Sequence, residues 1–149
     1  SRGLVTLLGR EPSPRYSVDV DDCRYVVRAL YKDRKIKPVL KNDGLEFNIT
    51  YKYYAEIDTL SDIQRFITDK DIKEIDSKLR QIIKDEAQKT IDKAQQEYGL
   101  DYLQFDHYFR RYYPSQYRKI DDWSEVFSSA KINVDVEIHE LIPPPPLFQ

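Results

Sequence analysis

Glycine is scarce in this sequence, at four in 149 residues; cysteine occurs once and methionine not at all. Each scarcity excludes a class of chemistry. Four glycines leave little room for a G-x-x-x-x-G-K-[ST] phosphate loop or a G-x-G-x-x-G fingerprint, and neither is present, nor is a G-x-S-x-G elbow. A lone cysteine, Cys23, closes no internal disulfide and rules out a multi-cysteine metal site. Beside Tyr25 and Val27 on a β-like segment, with no neighbouring base, it reads as a small buried hydrophobe rather than a reactive thiol. His107 and His139 are far apart in sequence, and neither sits in a metal-ligand motif. No apolar run approaches the ~20 residues that span a bilayer. No signal peptide or lipid-attachment cysteine stands near the N-terminus. Without an initiating methionine, a processed chain or an excised domain is expected. Excess charge is lacking as well. The 24 basic and 26 acidic residues leave a net charge of -2, whereas a nucleic-acid domain usually shows a clear basic excess.

What remains is a chain of single-domain length with 40% hydrophobic and 34% charged residues, the composition of a soluble globular fold. Arg2 to Gly9 fits a short strand, followed by a loop over Glu11 to Pro14. Tyr16, Val18 and Val20 alternate with polar residues and predict a second strand. Arg24 to Lys32 predicts a third, extended by Arg34 to Leu40, with Pro38 arguing for an edge or an end. Lys41-Asn42-Asp43-Gly44 is a turn. The strictest alternation follows: Leu45, Phe47, Ile49, Tyr51, Tyr53, Ala55 and Ile57 share one face, so that face packs and the other is wet. Leu60 to Asp69 is ambiguous between loop and short helix.

Ile72, Ile75, Leu79, Ile82, Ile83, Ala87, Thr90, Ile91, Ala94 and Tyr98 recur in steps of three and four. They predict a long amphipathic helix over about Asp71 to Tyr98, capped by Asp69 or Asp71 and stopped by Gly99. Asp101 can cap a shorter helix that Pro114 ends. Asp122-Trp123-Ser124-Glu125 has the form of a capping box opening a brief helix. Lys131 to Glu140 is a last strand with Ile132, Val134, Val136 and Ile138 inward. Strands first, helices next and a closing strand imply an α+β fold: a mostly antiparallel sheet of four to five strands with the long helix on one face. The domain is expected to span 1–142, with a proline-rich tail over 143–149.

Three features bear on function. Asp19, Asp21 and Asp22 resemble a D-x-D metal cluster but lack the glycine and distal glutamate of a calcium loop, so they read as a solvated turn. The basic run Arg24, Arg28, Lys32, Arg34, Lys35, Lys37 and Lys41 is either an edge guarded by charge or a patch for an anionic lipid or an acidic partner. The stretch DYLQFDHYFRRYYP interleaves rings and arginines. At 100° per residue, Tyr102, Phe105, Tyr108, Phe109, Tyr112 and Tyr113 fall in one stripe, and Gln104, His107, Arg110 and Arg111 lie on the remaining circumference. Base stacking needs exposed rings beside the cations, so these rings read as core. A nucleic-acid module built on the Arg24–Lys41 run and this helix is the alternative reading.

The order of these motifs resembles the C-terminal domain of the spore germinant-receptor C subunits, the Ger(x)C lipoprotein family. The resemblance rests on Asp101, Arg110-Arg111, Tyr113-Pro114, Arg118-Lys119, Asp122-Trp123 with Phe127, and the strand Ile132 to Ile138. RGLVTLLG and KIKPVLKNDGLEFNITYK fit the family's opening strand and hairpin. Gln104-Phe105-Asp106 stands where G-F-G is common, and HELIPPPPLFQ replaces a basic, glycine-containing end. The resemblance implies no enzyme activity and no cofactor. It implies a lipoprotein of the spore inner membrane, anchored outside this chain, acting with integral-membrane A- and B-type subunits in nutrient sensing. Arg110, Arg111 and Arg118 are the expected partner face, because the helix's polar side is basic in a net acidic chain. Trp123 is either a seam-filling core residue or a contact anchor.

Overall fold

The stretches of period-two alternation fold as strands. In the computed structural model, which describes residues 14–58, 67–98, 101 and 103–144, β1 (Arg15–Val20), β2 (Cys23–Lys41) and β3 (Gly44–Ile57) form an antiparallel meander. β4 (Lys131–Ile142) pairs with β3 in parallel, giving the order β1-β2-β3-β4. The strand expected over residues 2–9, most of the ambiguous Leu60 segment, the stop at Gly99 and the end of the tail lie outside the described residues. Asp21-Asp22 make the first turn, with Asp21 left-handed at φ 53, a geometry that aspartate tolerates. Asn42-Asp43 make the second. Gly44 follows at φ +138, and a Cβ there would meet nothing within 4 Å. The requirement for glycine is therefore one of backbone conformation rather than space.

β2 is one 19-residue strand, the section from Arg34 to Leu40 extending it as expected. A bulge between Tyr31 and Asp33 absorbs the irregularity. Among the described residues Pro38 lies at an edge, since β1 pairs with the section from Cys23 to Arg28. Two residues on, the Leu40 N–H donates to the Tyr113 hydroxyl at 3.4 Å. Alternation turns the Pro38 nitrogen toward the same open side, where a missing N–H costs no ladder bond.

Helix α1 (Asp69–Lys93) runs on without a break into a π-helical turn, Ala94–Tyr98. Its cap is Thr68, not Asp69 or Asp71. The Thr68 hydroxyl accepts from the Asp71 N–H at 3.2 Å, and the Asp71 carboxylate accepts from the Thr68 N–H at 3.0 Å. Threonine followed three residues later by an acid satisfies two orphan donors reciprocally, which a lone aspartate cap does not. Ile75, Leu79, Ile83, Ala87 and Ile91 are fully buried, as the stripe predicts. They face Val18, Val27, Phe47, Ile49, Tyr51, Val134 and Val136 in one core. Burying each large aliphatic contributes about 1.5–3 kcal/mol before entropy.

The polar flank of α1 seals the outer edge of β4. Arg80 donates to the Val136 and Ile138 carbonyls at 3.3 and 3.2 Å, and Gln88 to the Ile132 carbonyl at 3.2 Å. The Val136 N–H is taken up by the Asp135 carboxylate at 3.0 Å. An edge whose groups are satisfied this way offers little template for another strand. The π turn places Gln95 so that its amide donates to the carbonyls of Phe127 and Ala130 at 2.8 and 2.7 Å, tying α1 to the start of β4. Three short helices bridge the gap: α2 (Phe105–Tyr112), α3 (Pro114–Tyr117) and α4 (Trp123–Ser129).

Candidate interaction surface

The helical module is organised by one carboxylate. Asp101 accepts from the N–H groups of Phe105 and Asp106, each at 2.9 Å, and from the Trp123 indole N–H at 2.9 Å. It therefore caps α2 as expected, but from three residues ahead of the N-cap position. Gln104 occupies that position in the left-handed region, at φ 59. The same carboxylate clamps α4 to α2 through Trp123. Around this clamp the rings stack: Phe109 on Trp123 at 5.8 Å, Phe105 on Phe127 at 5.9 Å and Phe47 against Phe105 at 4.8 Å. Tyr113 and Tyr117 close over Phe109. Offset and edge contacts of this kind add about 0.5–1.5 kcal/mol per pair beyond burial.

The aromatic stripe is thus mostly core. Phe105 and Phe109 are buried, and Tyr108 and Tyr113 are half-buried. Tyr112 departs from the expectation at 53% exposure. It sits in the last turn, and the chain bends at Pro114 so that Tyr113 and Tyr117 occupy the space over Phe109. Tyr102 lies outside the described residues. Pro114 both ends α2 and opens α3 as its first residue, where its missing N–H is harmless.

Arg110, Arg111 and Arg118 are exposed on the outside of this module. Among the described residues none of the three forms an ion pair, and Arg110 and Arg111 lie in the last turn of α2, where cations suit the helix dipole. Trp123 is half-buried, its N–H committed to Asp101 and its ring held among Phe109, Phe47 and Tyr117. Trp123 thus packs within the same module that carries the arginines.

The basic run on β2 is sorted differently. Arg24 pairs with Asp19 at 2.9 Å, Arg28 with Glu56 at 2.6 Å and Lys41 with Glu46 at 2.8 Å. Arg34 donates to the Tyr51 hydroxyl. Lys35 and Lys37 stand exposed near the edge. Three of the seven residues of the run are neutralised by carboxylates of the same sheet, as at an edge guarded by charge. The acidic triplet is divided as well: Asp21 and Asp22 make the turn while the Asp19 carboxyl is held below its usual range by its hydrogen bond from Arg24. Among the described residues, no three His, Cys, Asp or Glu side chains converge as a metal site would require. Cys23 is half-buried at the start of β2, less enclosed than a core position, because it abuts the exposed turn.

Sequence reasoning missed Glu46. It lies on the wet face of β3 yet is only 8% exposed. Lys41 covers it at 2.8 Å and Lys131 at 3.7 Å. Hydrogen bonds from Lys41 and then Asn133 hold its carboxyl below the usual glutamate range. Lys41 faces it across the predictable hairpin, but Lys131 arrives only through the β3–β4 pairing, which leaves no local signal.

Known proteins carry the same pattern. A family profile described as spore germination B3/GerAC like, C-terminal, matches residues 1–139. Among solved structures, that of the GerBC protein superposes with a TM-score of 0.73 at 20% identity, over 93% of this chain and 43% of that one. The chain therefore spans less than half the length of that protein, and the likeness is one of fold. No curated protein matches.

Proposed function

Because the chain belongs to the spore germination B3/GerAC-like C-terminal family, we propose that it is a non-enzymatic assembly domain of a nutrient-germinant receptor's C subunit. It contacts the integral-membrane A- and B-type subunits through the basic outer side of α2 and the turn that follows. A lipid anchor outside this chain would hold the receptor subunit at the spore inner membrane. The observation that carries the reading is the placement of Arg110, Arg111 and Arg118, exposed and without ion pairs among the described residues, on a module clamped by Asp101 and Trp123. Arginines on a rigid, ring-packed support are suited to protein contact, since ordering them costs less than ordering side chains on a mobile loop.

The test is capture of receptor subunits. The immobilised chain is exposed to detergent-solubilised spore inner membrane, and retained proteins are identified by mass spectrometry. The integral-membrane receptor subunits should be retained, and the double variant R110E/R111E should lose them by tenfold or more. Equal retention by that variant, with its fold intact, would refute the assigned face. Retention of no receptor subunit would refute assembly through this domain.

A further inference from the structure

The sheet face turned away from the helices carries two bulges at one level. Lys32 is the extra residue of β2, between the pairs Tyr31–Tyr53 and Asp33–Lys52. His139 is the extra residue of β4, between the pairs Ile138–Tyr53 and Glu140–Tyr54. A bulge re-aims the side chain that it inserts, and both of these are brought to the same ring. The Lys32 ammonium lies over the Tyr54 ring at 5.2 Å, and the His139 ring is 6.2 Å from it. Tyr54 is itself 37% exposed.

The next row along the sheet is Arg28–Glu56–Ile142. An open cavity there is lined by Arg15, Arg28, Glu56, Asp58, Ile142 and Pro143. Its arginines are committed, Arg15 to Asp58 at 3.2 Å and Arg28 to Glu56 at 2.6 Å. Ile142 is 40% exposed. Around Tyr54 the cation that makes no ion pair among the described residues is Lys32, beside exposed aromatic and aliphatic surface, while the exposed Lys35 and Lys37 stand farther along the same face. A polyanion or an anionic membrane laid here would meet Glu56, Glu137 and Glu140 as well. A single carboxylate beside an apolar side chain would not.

We propose that this face binds a short polypeptide segment of a partner protein, which presents a carboxylate to Lys32 and a bulky apolar side chain to the surface between Tyr54 and Ile142. His139 borders the same segment. Tyrosine, histidine and a lysine held over an aromatic ring on a rigid sheet supply contact area at low entropic cost. The site lies across the sheet from α2, so it stands or falls separately from the arginine face.

The experiment is selection from a displayed library of random heptapeptides on the immobilised 149-residue chain. Enriched peptides should place an acid beside Leu, Ile or Phe. Their binding should fall tenfold or more in Tyr54→Ala and in Lys32→Glu, both exposed positions, and stay unchanged in R110E/R111E. The chain has two histidines, so a proton spectrum separates them; a selected peptide should move the His139 signal and leave His107 in place. Failure to enrich any acidic–apolar motif would overturn the proposal. So would peptides that tolerate both substitutions, or phosphatidylglycerol vesicles whose binding is lost in Lys32→Glu when no peptide is selected.

Discussion

Asp101 holds three donors that no other described side chain supplies with a partner: two helix N–H groups and the Trp123 indole. Replacing it with alanine leaves a half-buried indole N–H unsatisfied and uncaps α2. We expect a loss of about 3 kcal/mol, with red-shifted tryptophan emission, measured by urea unfolding. Because Trp123 is the only tryptophan, the emission reports this clamp directly. The capping role of Asp101 was legible in the sequence, since Asp precedes a ring-rich helix. Its bond to Trp123 was not, because 22 residues separate the two. Glu46 makes the complementary case. Its carboxyl titrates lower in the folded chain than in the unfolded one. Its contribution is therefore present above the ordinary glutamate range, near pH 4.5, and is lost as pH falls toward the folded value. In thermal melts, Glu46→Gln should narrow the gap in Tm to the parent as pH is lowered through that window. A gap independent of pH would show that the lysines do not act through its charge. At the other end of the scale, burial pushes the Tyr51 phenol up, with Arg34 partly offsetting it. Folding therefore favours the protonated phenol, and stability should decline once pH rises past the unfolded value of about 10. Tyr51→Phe should flatten that alkaline decline.

Among the elements, α1 was the most legible in sequence, because its stripe repeats for seven turns and each position reports the same face. Its start was misplaced onto the aspartates, since a cap is a matter of geometry at a single residue and Thr68 looks like any loop threonine. Thr68→Ala should cost about 1 kcal/mol. A double-mutant cycle with Asp71→Ala should show the two losses to be less than additive, as reciprocal bonds require. The relation of α1 to β4 could not be read at all. Arg80 and Gln88 look like ordinary wet-face residues, and only the packing reveals that they serve the carbonyls of Ile132, Val136 and Ile138. Arg80→Ala should accelerate amide exchange selectively in β4 and raise the tendency to self-associate, with α1 itself protected as before.

At the level of the whole molecule, the α+β class followed from element order, while the parallel pairing of β3 with β4 did not. Alternation predicts which face of Lys131–Ile142 is buried but carries no direction, so both orientations satisfied it. The proposed partner faces were only half legible for a related reason. Helical spacing separated Arg110 and Arg111 from the rings, yet the meeting of Lys32, Tyr54 and His139 depends on two bulges that no periodicity announces. The pairing also sets an order of events during synthesis. β3 is made early and stays open along one side until residues 131–142 have left the ribosome. Throughout that interval the nascent chain carries a strongly β-forming strand paired on one side alone and a helix whose floor lacks β4. Slower translation across the helical segment therefore lengthens the time for which that edge is exposed.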